Sequence, residues 1–284
     1  MVKLHDVSYT YMSGGPFEKT AVKGINLELK RGEFVGLIGH TGSGKSTLVQ
    51  LIAGLTKPTA GTIEVDGKTL FKKGTDMRKL RFGIGLVMQY PEYQLFEETV
   101  FKDIAFGPSN MGLSSEEITR RVHFAADLVG IRREILEKSP FELSGGQKRR
   151  VAVAGVLAME PKLLILDEPA AGLDPAGRDE ILHKIRDMHR RLGITVVLVS
   201  HSMEDIAGLA DRIVVMNKGT VAMTGKPVEV FKSAEELKKM GLSVPQITEV
   251  CNRLREAGVP IPDGLYTVES AKAELEKLLK NEMR

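Results

Sequence analysis

Cysteine is almost absent: Cys251 stands alone, so no intrachain disulfide can form, and the chain suits a reducing compartment such as the cytosol. Long apolar runs are missing as well. No segment approaches the roughly 18–20 consecutive apolar residues that cross a bilayer. Met1 to Tyr11 alternates polar and apolar residues rather than forming the apolar core of a secretory signal. If the protein moves something across a membrane, another chain is expected to supply the path. Charge of one sign is also lacking. Forty Lys and Arg against 37 Asp and Glu leave a net charge of +3, too balanced to mark a nucleic-acid partner, and none is expected. Repeats and low-complexity tracts do not occur. What remains is a 284-residue chain, 42% hydrophobic and 27% charged, suited to one large α/β domain with an appendage.

Val7, Tyr9 and Tyr11, then Ile25, Leu27 and Leu29, alternate with polar residues as half-buried strands do, whereas Phe34 to Ile38 is a continuous apolar run that predicts a central strand. Ile84–Met88, Leu163–Leu166 and Thr195–Val199 are further short apolar runs, separated by charged helical stretches such as Asp179 to Arg191. Buried strands alternating with helices predict a mostly parallel sheet covered on both faces. Between Pro91 and Met159 helical patterns dominate, predicting a helical subdomain at about 91–159. Ile213–Met216 and Thr220–Met223, joined by Asn217-Lys218-Gly219, predict a closing hairpin. Two further amphipathic helices are expected beyond about residue 235, one carrying Ile247, Val250, Cys251 and Leu254, the other Val268, Ala271, Leu275 and Leu278.

The central run leads straight into Gly39-His40-Thr41-Gly42-Ser43-Gly44-Lys45-Ser46 and then a helical pattern. Strand, glycine-rich loop and helix in that order form the Walker A phosphate loop. Its glycines let successive N–H groups face a phosphate, and the helix N-terminus adds about half a positive charge. The run Gly39 to Thr47 is expected to bind ATP. Lys45 would reach the β- and γ-phosphates, Ser46 would ligate Mg²⁺, and His40 would lie near the nucleotide. Leu163 to Glu168 ends an apolar strand with two carboxylates, the Walker B form. Asp167 would hold Mg²⁺, and Glu168 would orient and polarise the attacking water.

Leu143-Ser144-Gly145-Gly146-Gln147, just upstream of Asp167, chooses among the many nucleotide hydrolases with those two motifs. It matches the ABC signature, and the chain resembles ABC ATPases over roughly residues 1–235. That resemblance implies a P-loop NTPase fold with a RecA-like core sheet, an N-terminal antiparallel β part and a helical subdomain. Gln89 resembles the Q-loop glutamine that senses Mg²⁺ and water. Ala171-Gly172-Leu173-Asp174 is similar to the D-loop, with Ala-Gly in place of the commoner Ser-Ala. His201 resembles the switch histidine at the γ-phosphate. Tyr11 resembles the aromatic that stacks on adenine, with Tyr9 the competing candidate. In this family two such subunits meet head to tail, so the signature of one would face the ATP of the other.

Tyr90-Pro91-Glu92-Tyr93-Gln94-Leu95-Phe96-Glu97-Glu98-Thr99-Val100, continuing to Asp103-Ile104-Ala105-Phe106-Gly107-Pro108, resembles the ATPases of energy-coupling factor transporters, which power vitamin and cobalt or nickel uptake. Ser8 to Tyr11 together with Pro16 to Ala21 resembles the second of that family's two ATPase paralogues, and residues 236–284 resemble its C-terminal helical extension, which helps join the two ATPases. The resemblance implies a second ATPase, identical or different, a transmembrane coupling protein, a substrate-binding membrane protein, and a peripheral place on the cytoplasmic face of the cell membrane. Leu95 and Phe96 would help form the groove that receives the coupling protein. A soluble ABC ATPase of translation or DNA repair, or the ATPase of another ABC importer type, is the alternative.

Overall fold

The structure is a computed structural model that describes residues 1–282. In chain order it contains β1 (Val2–Tyr11), β2 (Lys19–Leu29), β3 (Phe34–Gly39), α1 (Lys45–Ile52), β4 (Ala60–Val65), β5 (Lys68–Thr69), α2 (Met77–Phe82) and β6 (Ile84–Val87). Then follow α3 (Val100–Asn110), α4 (Ser115–Val129), α5 (Gly145–Leu157), β7 (Leu163–Asp167), α6 (Pro175–Leu192), β8 (Thr195–Val199) and α7 (Met203–Leu209). The chain closes with β9 (Arg212–Asn217), β10 (Thr220–Gly225), α8 (Pro227–Lys232), α9 (Ala234–Lys239), α10 (Gln246–Glu256) and α11 (Val268–Glu282).

Two sheets form. β2-β1-β4-β5 is antiparallel, and β10-β9-β3-β8-β7-β6 is parallel except for the edge strand β10. The six-stranded sheet explains why its strands read as unbroken apolar runs. Successive side chains point to opposite faces, and both faces are covered. Val35, Leu37, Ile165, Val197 and Val199 join α1 and the four-stranded sheet in one core, while Phe34, Ile38, Leu164, Leu166, Val196 and Leu198 join the helices in the other. Truncating one of the buried leucines or isoleucines, Leu198→Ala for instance, should cost about 2–5 kcal/mol through lost transfer energy and the cavity left behind.

The β9–β10 hairpin turns at Lys218 and Gly219, both with positive φ (47° and 81°), the geometry of a two-residue turn whose twist matches the strands. Met88 lies outside β6 and is 39% exposed, so that apolar run ends one residue early.

Val230, Phe231, Leu237, Leu242 and Val244 belong to the large helical-side core, whereas α10 and α11 enclose a small core of their own around Cys251, Ile261 and Ala271. The expected stripes of these helices need correction. Val250 and Val268 are 47% and 62% exposed. On α10 the inward position falls instead to Thr248, 3% exposed, because its hydroxyl donates to the Leu265 carbonyl at 3.0 Å. Among the described residues no helix is long and apolar enough to cross a membrane.

Candidate active site

Parallel strands deliver their C-terminal ends to one edge, where the chain is free to form loops around a ligand. β8 lies between β3 and β7, with Leu37 opposite Val199 and Val199 opposite Asp167. The glycine-rich loop after β3, Asp167 and Glu168 at the end of β7, and His201 after β8 therefore share that edge. Gln89 follows β6, the next strand over, and is exposed.

The loop is tightly made. Gly44 has φ 103°, and a Cβ there would sit 2.5 Å from the Ala21 carbonyl oxygen, so no other residue fits. Ser43 N–H donates to the His40 carbonyl at 3.1 Å, and the Ser43 carbonyl accepts from Gly219 N–H at 2.9 Å. His40 lies against Asn217, its Nε2 3.3 Å from Oδ1. Lys45 is 7% exposed, and its Nζ donates to the carbonyls of Gly39 at 2.6 Å and His40 at 3.2 Å. Ser46 is exposed and Thr47 buried on the first turn of α1, which carries no acidic residue to oppose its positive end.

Glu168 adopts φ 51°, unusual for a side chain that long, and its N–H donates to the Val199 carbonyl at 3.0 Å. That turn swings the carboxyl back beside His201, whose Nε2 is 3.5 Å from Glu168 Oε1. Burial, reinforced by Asp167, pushes the Glu168 carboxyl up to about 7. Burial likewise raises Asp167 against the pull of Lys45 and His201. Burial lowers Lys45, with Glu168 and Asp167 opposing. Burial and Lys45 hold His201 below its ordinary 6.5, so it is neutral at pH 7 and its contact with Glu168 is not an ion pair there. The Ser43 hydroxyl and Glu168 Oε1 are buried oxygens without a hydrogen-bond partner in the protein. A phosphate loop with an inward hydroxyl, a buried ammonium and two carboxylates beside it fits a nucleotide with its metal.

The signature residues and Asp174 sit at the starts of two helices. Ser144 caps α5: its Oγ accepts from Gln147 N–H at 3.3 Å, and Gln147 Oε1 accepts from Ser144 N–H at 3.0 Å. Leu143 is buried in the helical core, while Gly145 and Gly146 are exposed and a Cβ on either would meet nothing within 4 Å. Asp174 caps α6 through Gly177 N–H at 2.9 Å. From the same helix Arg178 donates to Asp205 Oδ1 at 2.6 Å and to the Ser202 hydroxyl, tying α6 to the residue after His201. Tyr11 is 40% exposed, its hydroxyl 3.1 Å from Thr47 Oγ1, whereas Tyr9 packs edge-on against it and into the core.

A family model described as "ABC transporter" matches residues 22–171. The energy-coupling factor transporter ATP-binding protein EcfA2 of Caldanaerobacter subterraneus subsp. tengcongensis is 56% identical over 279 residues, 98% of either chain. Its namesake from Clostridium tetani is 54% identical over 281 residues, 99% of this chain and 98% of that one. The chain belongs to the energy-coupling factor ABC transporter ATP-binding proteins. Among solved structures, cbiO1 of Clostridium perfringens, part of the ABC transporter complex cbiONQ, superposes with a TM-score of 0.75 at 42% identity, covering 90% of this chain and 98% of that one. The cassette MJ0796, dimeric and bound to ADP and Pi after hydrolysis, superposes with a TM-score of 0.71 at 31% identity, covering 80% and 98%. This energy-coupling factor ATP-binding protein is thus an ATPase with the P-loop ABC fold.

Sequence reasoning passed over Glu92, Arg149, Arg178 and Asp205. Glu92 stands inside the Tyr90–Val100 segment but had no role assigned there, the other three lie outside the motifs, and the partners lie 57 and 27 residues apart in the chain.

Proposed function

We propose that this ATPase works as one of a pair on the cytoplasmic face of the cell membrane, hydrolysing MgATP to drive uptake of a vitamin or transition-metal ion through separate coupling and substrate-binding membrane proteins. The observation that carries the reading is a division of labour. Lys45, Asp167, Glu168 and His201 gather at one sheet edge, while a Cβ on either signature glycine would meet nothing within 4 Å among the described residues. Glycine there has no use within the subunit. It has one if the nucleotide of a second subunit approaches the N-terminus of α5.

In this reading Gly39 to Thr47 cradles the phosphates and Tyr11 stacks on adenine. Lys45 gives up its two loop carbonyls to bind the β- and γ-phosphates. Ser46, Gln89 and Asp167 would hold Mg²⁺, which would supply charge neutralisation at the transferring group. Glu168, once ionised, orients the attacking water and takes its proton. His201, neutral, offers an N–H to the γ-phosphate. Leu143 to Gln147 and Asp174 complete the opposite subunit's site.

Phe96 and Phe106, packed edge to face at 5.0 Å and 57% and 47% exposed, border a groove of about 340 Å³ with Phe82, Leu95 and Met159. Exposed aromatics over a groove suit an amphipathic helix of a partner, and the coupling membrane protein is the partner proposed.

A tagged copy recovered from its native membrane should bring a second ATPase and membrane proteins with it. Glu168→Gln should lower turnover by about 10²- to 10⁴-fold while nucleotide binding persists, whereas Lys45→Ala should weaken both. Recovery with ribosomal or DNA-repair proteins instead would leave an ATPase and remove the transporter.

A further inference from the structure

Arg149 has no part in the chemistry described so far. It lies on the second turn of α5, 3% exposed. Its Nε and Nη2 donate to Glu92 Oε2 and Oε1 at 3.1 and 2.8 Å, a two-pronged pair. Its Nη1 donates to the Ala171 carbonyl at 2.7 Å and the Pro169 carbonyl at 3.3 Å. Burial alone would raise Glu92, yet Arg149 holds its carboxyl below the usual range, so the pair is charged.

The segments joined are the ones that matter. Glu92 follows Gln89 by three residues, in the turn Pro91–Gln94. Ala171 follows Glu168 by three, and its N–H donates to the Glu168 carbonyl at 3.1 Å. Arg149 itself follows Ser144 by five. One guanidinium therefore holds the Gln89 segment, the signature helix and the Glu168–Asp174 segment together. Tyr90, at φ 54°, adds a second link, since its ring lies against Gly172. A buried ion pair is a weak stabiliser compared with apolar packing. Its distinctive property is directional: the planar arginine fork grips the carboxylate with two donors while a third nitrogen reaches two carbonyls, a geometry that lysine's single ammonium does not reproduce.

We propose that Arg149 and Glu92 are positioning residues for hydrolysis, keeping the catalytic carboxylate of one site in register with the signature this chain offers to the opposite nucleotide. The proposal rests on the roles given above to Gln89, Glu168 and the signature. Movement of the Gln89 segment is then transmitted to α5 directly, through the Glu92–Arg149 pair.

The test uses the assembled ATPase pair with its membrane partners. Glu92→Gln keeps the shape and removes the charge; Arg149→Lys keeps the charge and removes the fork. Each should lower kcat by about tenfold, as loss of an orienting partner does, with KM for ATP and binding of a fluorescent ATP analogue unchanged. The double variant should be no worse than the poorer single one, because both break the same link. A pair with only a structural role would lower the unfolding midpoint and weaken nucleotide binding, and leave kcat of the folded fraction intact. That pattern, additive losses, or failure of both variants to fold would each overturn the proposal. Glu168→Gln run alongside keeps the two ideas separate. Hydrolysis surviving in that control sinks the site assignment itself, whereas loss there with normal turnover in Glu92→Gln sinks only the positioning role.

Discussion

Glu168 carries two costs at once, a left-handed backbone and a carboxyl buried beside Asp167. Its ordinary value of 4.5 rises to about 7 in the fold. Between those values the native carboxyl keeps a proton that the unfolded chain has released, so its contribution to stability is fully present below 4.5 and is lost as pH climbs through about 7. Glu168→Gln, which never ionises, should therefore unfold at a higher temperature than the parent at pH 8, by the equivalent of about 1 kcal/mol after solvent screening. The gap should close as pH falls towards 5, and thermal melts across that range would show it. Hydrolysis should move the opposite way. A protonated Glu168 cannot take a proton from water, so kcat/KM of the parent should climb as pH rises through about 7. A flat profile would remove Glu168 as the base. Lys45 and Glu168 were legible in the sequence because their motifs are contiguous and each sits at the end of an apolar run. Glu92 and Arg149 were not, because a buried pair formed across 57 positions leaves no local pattern.

Among the elements, α5 sets local stability against activity most openly. Ser144 and Gln147 cap it reciprocally, so the helix start is well made without help from the glycines between them. Gly146→Ala should therefore stabilise the subunit by roughly 0.5–1 kcal/mol, since alanine has the better helix propensity and meets no neighbour. The same change should depress hydrolysis by the paired subunits, because in the proposed pairing the added methyl would face the second subunit. Ser144→Ala should destabilise by about 1 kcal/mol through the lost cap and also slow hydrolysis. Chemical denaturation and steady-state hydrolysis on the same samples distinguish the two patterns. Equal loss of stability and activity in Gly146→Ala would mean the glycine serves this chain alone. The pattern of α10 and α11 was legible as amphipathic, and Ile247, Cys251, Leu254, Ala271, Leu275 and Leu278 do meet in the small core, while Val250 and Val268 turn outward. Thr248 takes the place that spacing gave to Val250, through one hydrogen bond to a distant carbonyl.

At the level of the whole molecule, the buried residues of the large core run through Val244, Tyr266 alone among the described residues packs against it from beyond α10, and α10 and α11 enclose a small core of their own. A chain ending at residue 244 should fold and still bind ATP. If α10 and α11 help hold two subunits together, that chain should need a higher protein concentration to reach full specific activity, because the proposed site is completed only in the pair. Sedimentation together with activity measured over a dilution series would show the shift. Overlapping curves would free the C-terminal helices from any role in pairing.

The sequence by itself determined the chemistry available: a phosphate loop, a carboxylate pair, a signature and a solitary histidine, each legible because local backbone demands and short motifs survive in one dimension. It determined the strands of the parallel sheet too, since burial on both faces leaves unbroken apolar runs. Only the tertiary structure decided which of these meet. The order β3-β8-β7-β6 is not chain order, and it alone sets His201 between the phosphate loop and Glu168. The shifted ionisation of Glu168, the hidden hydroxyl of Ser43 and the reach of Arg149 arise in the same way, from desolvation and contacts between segments far apart in the chain, which spacing along a sequence cannot express.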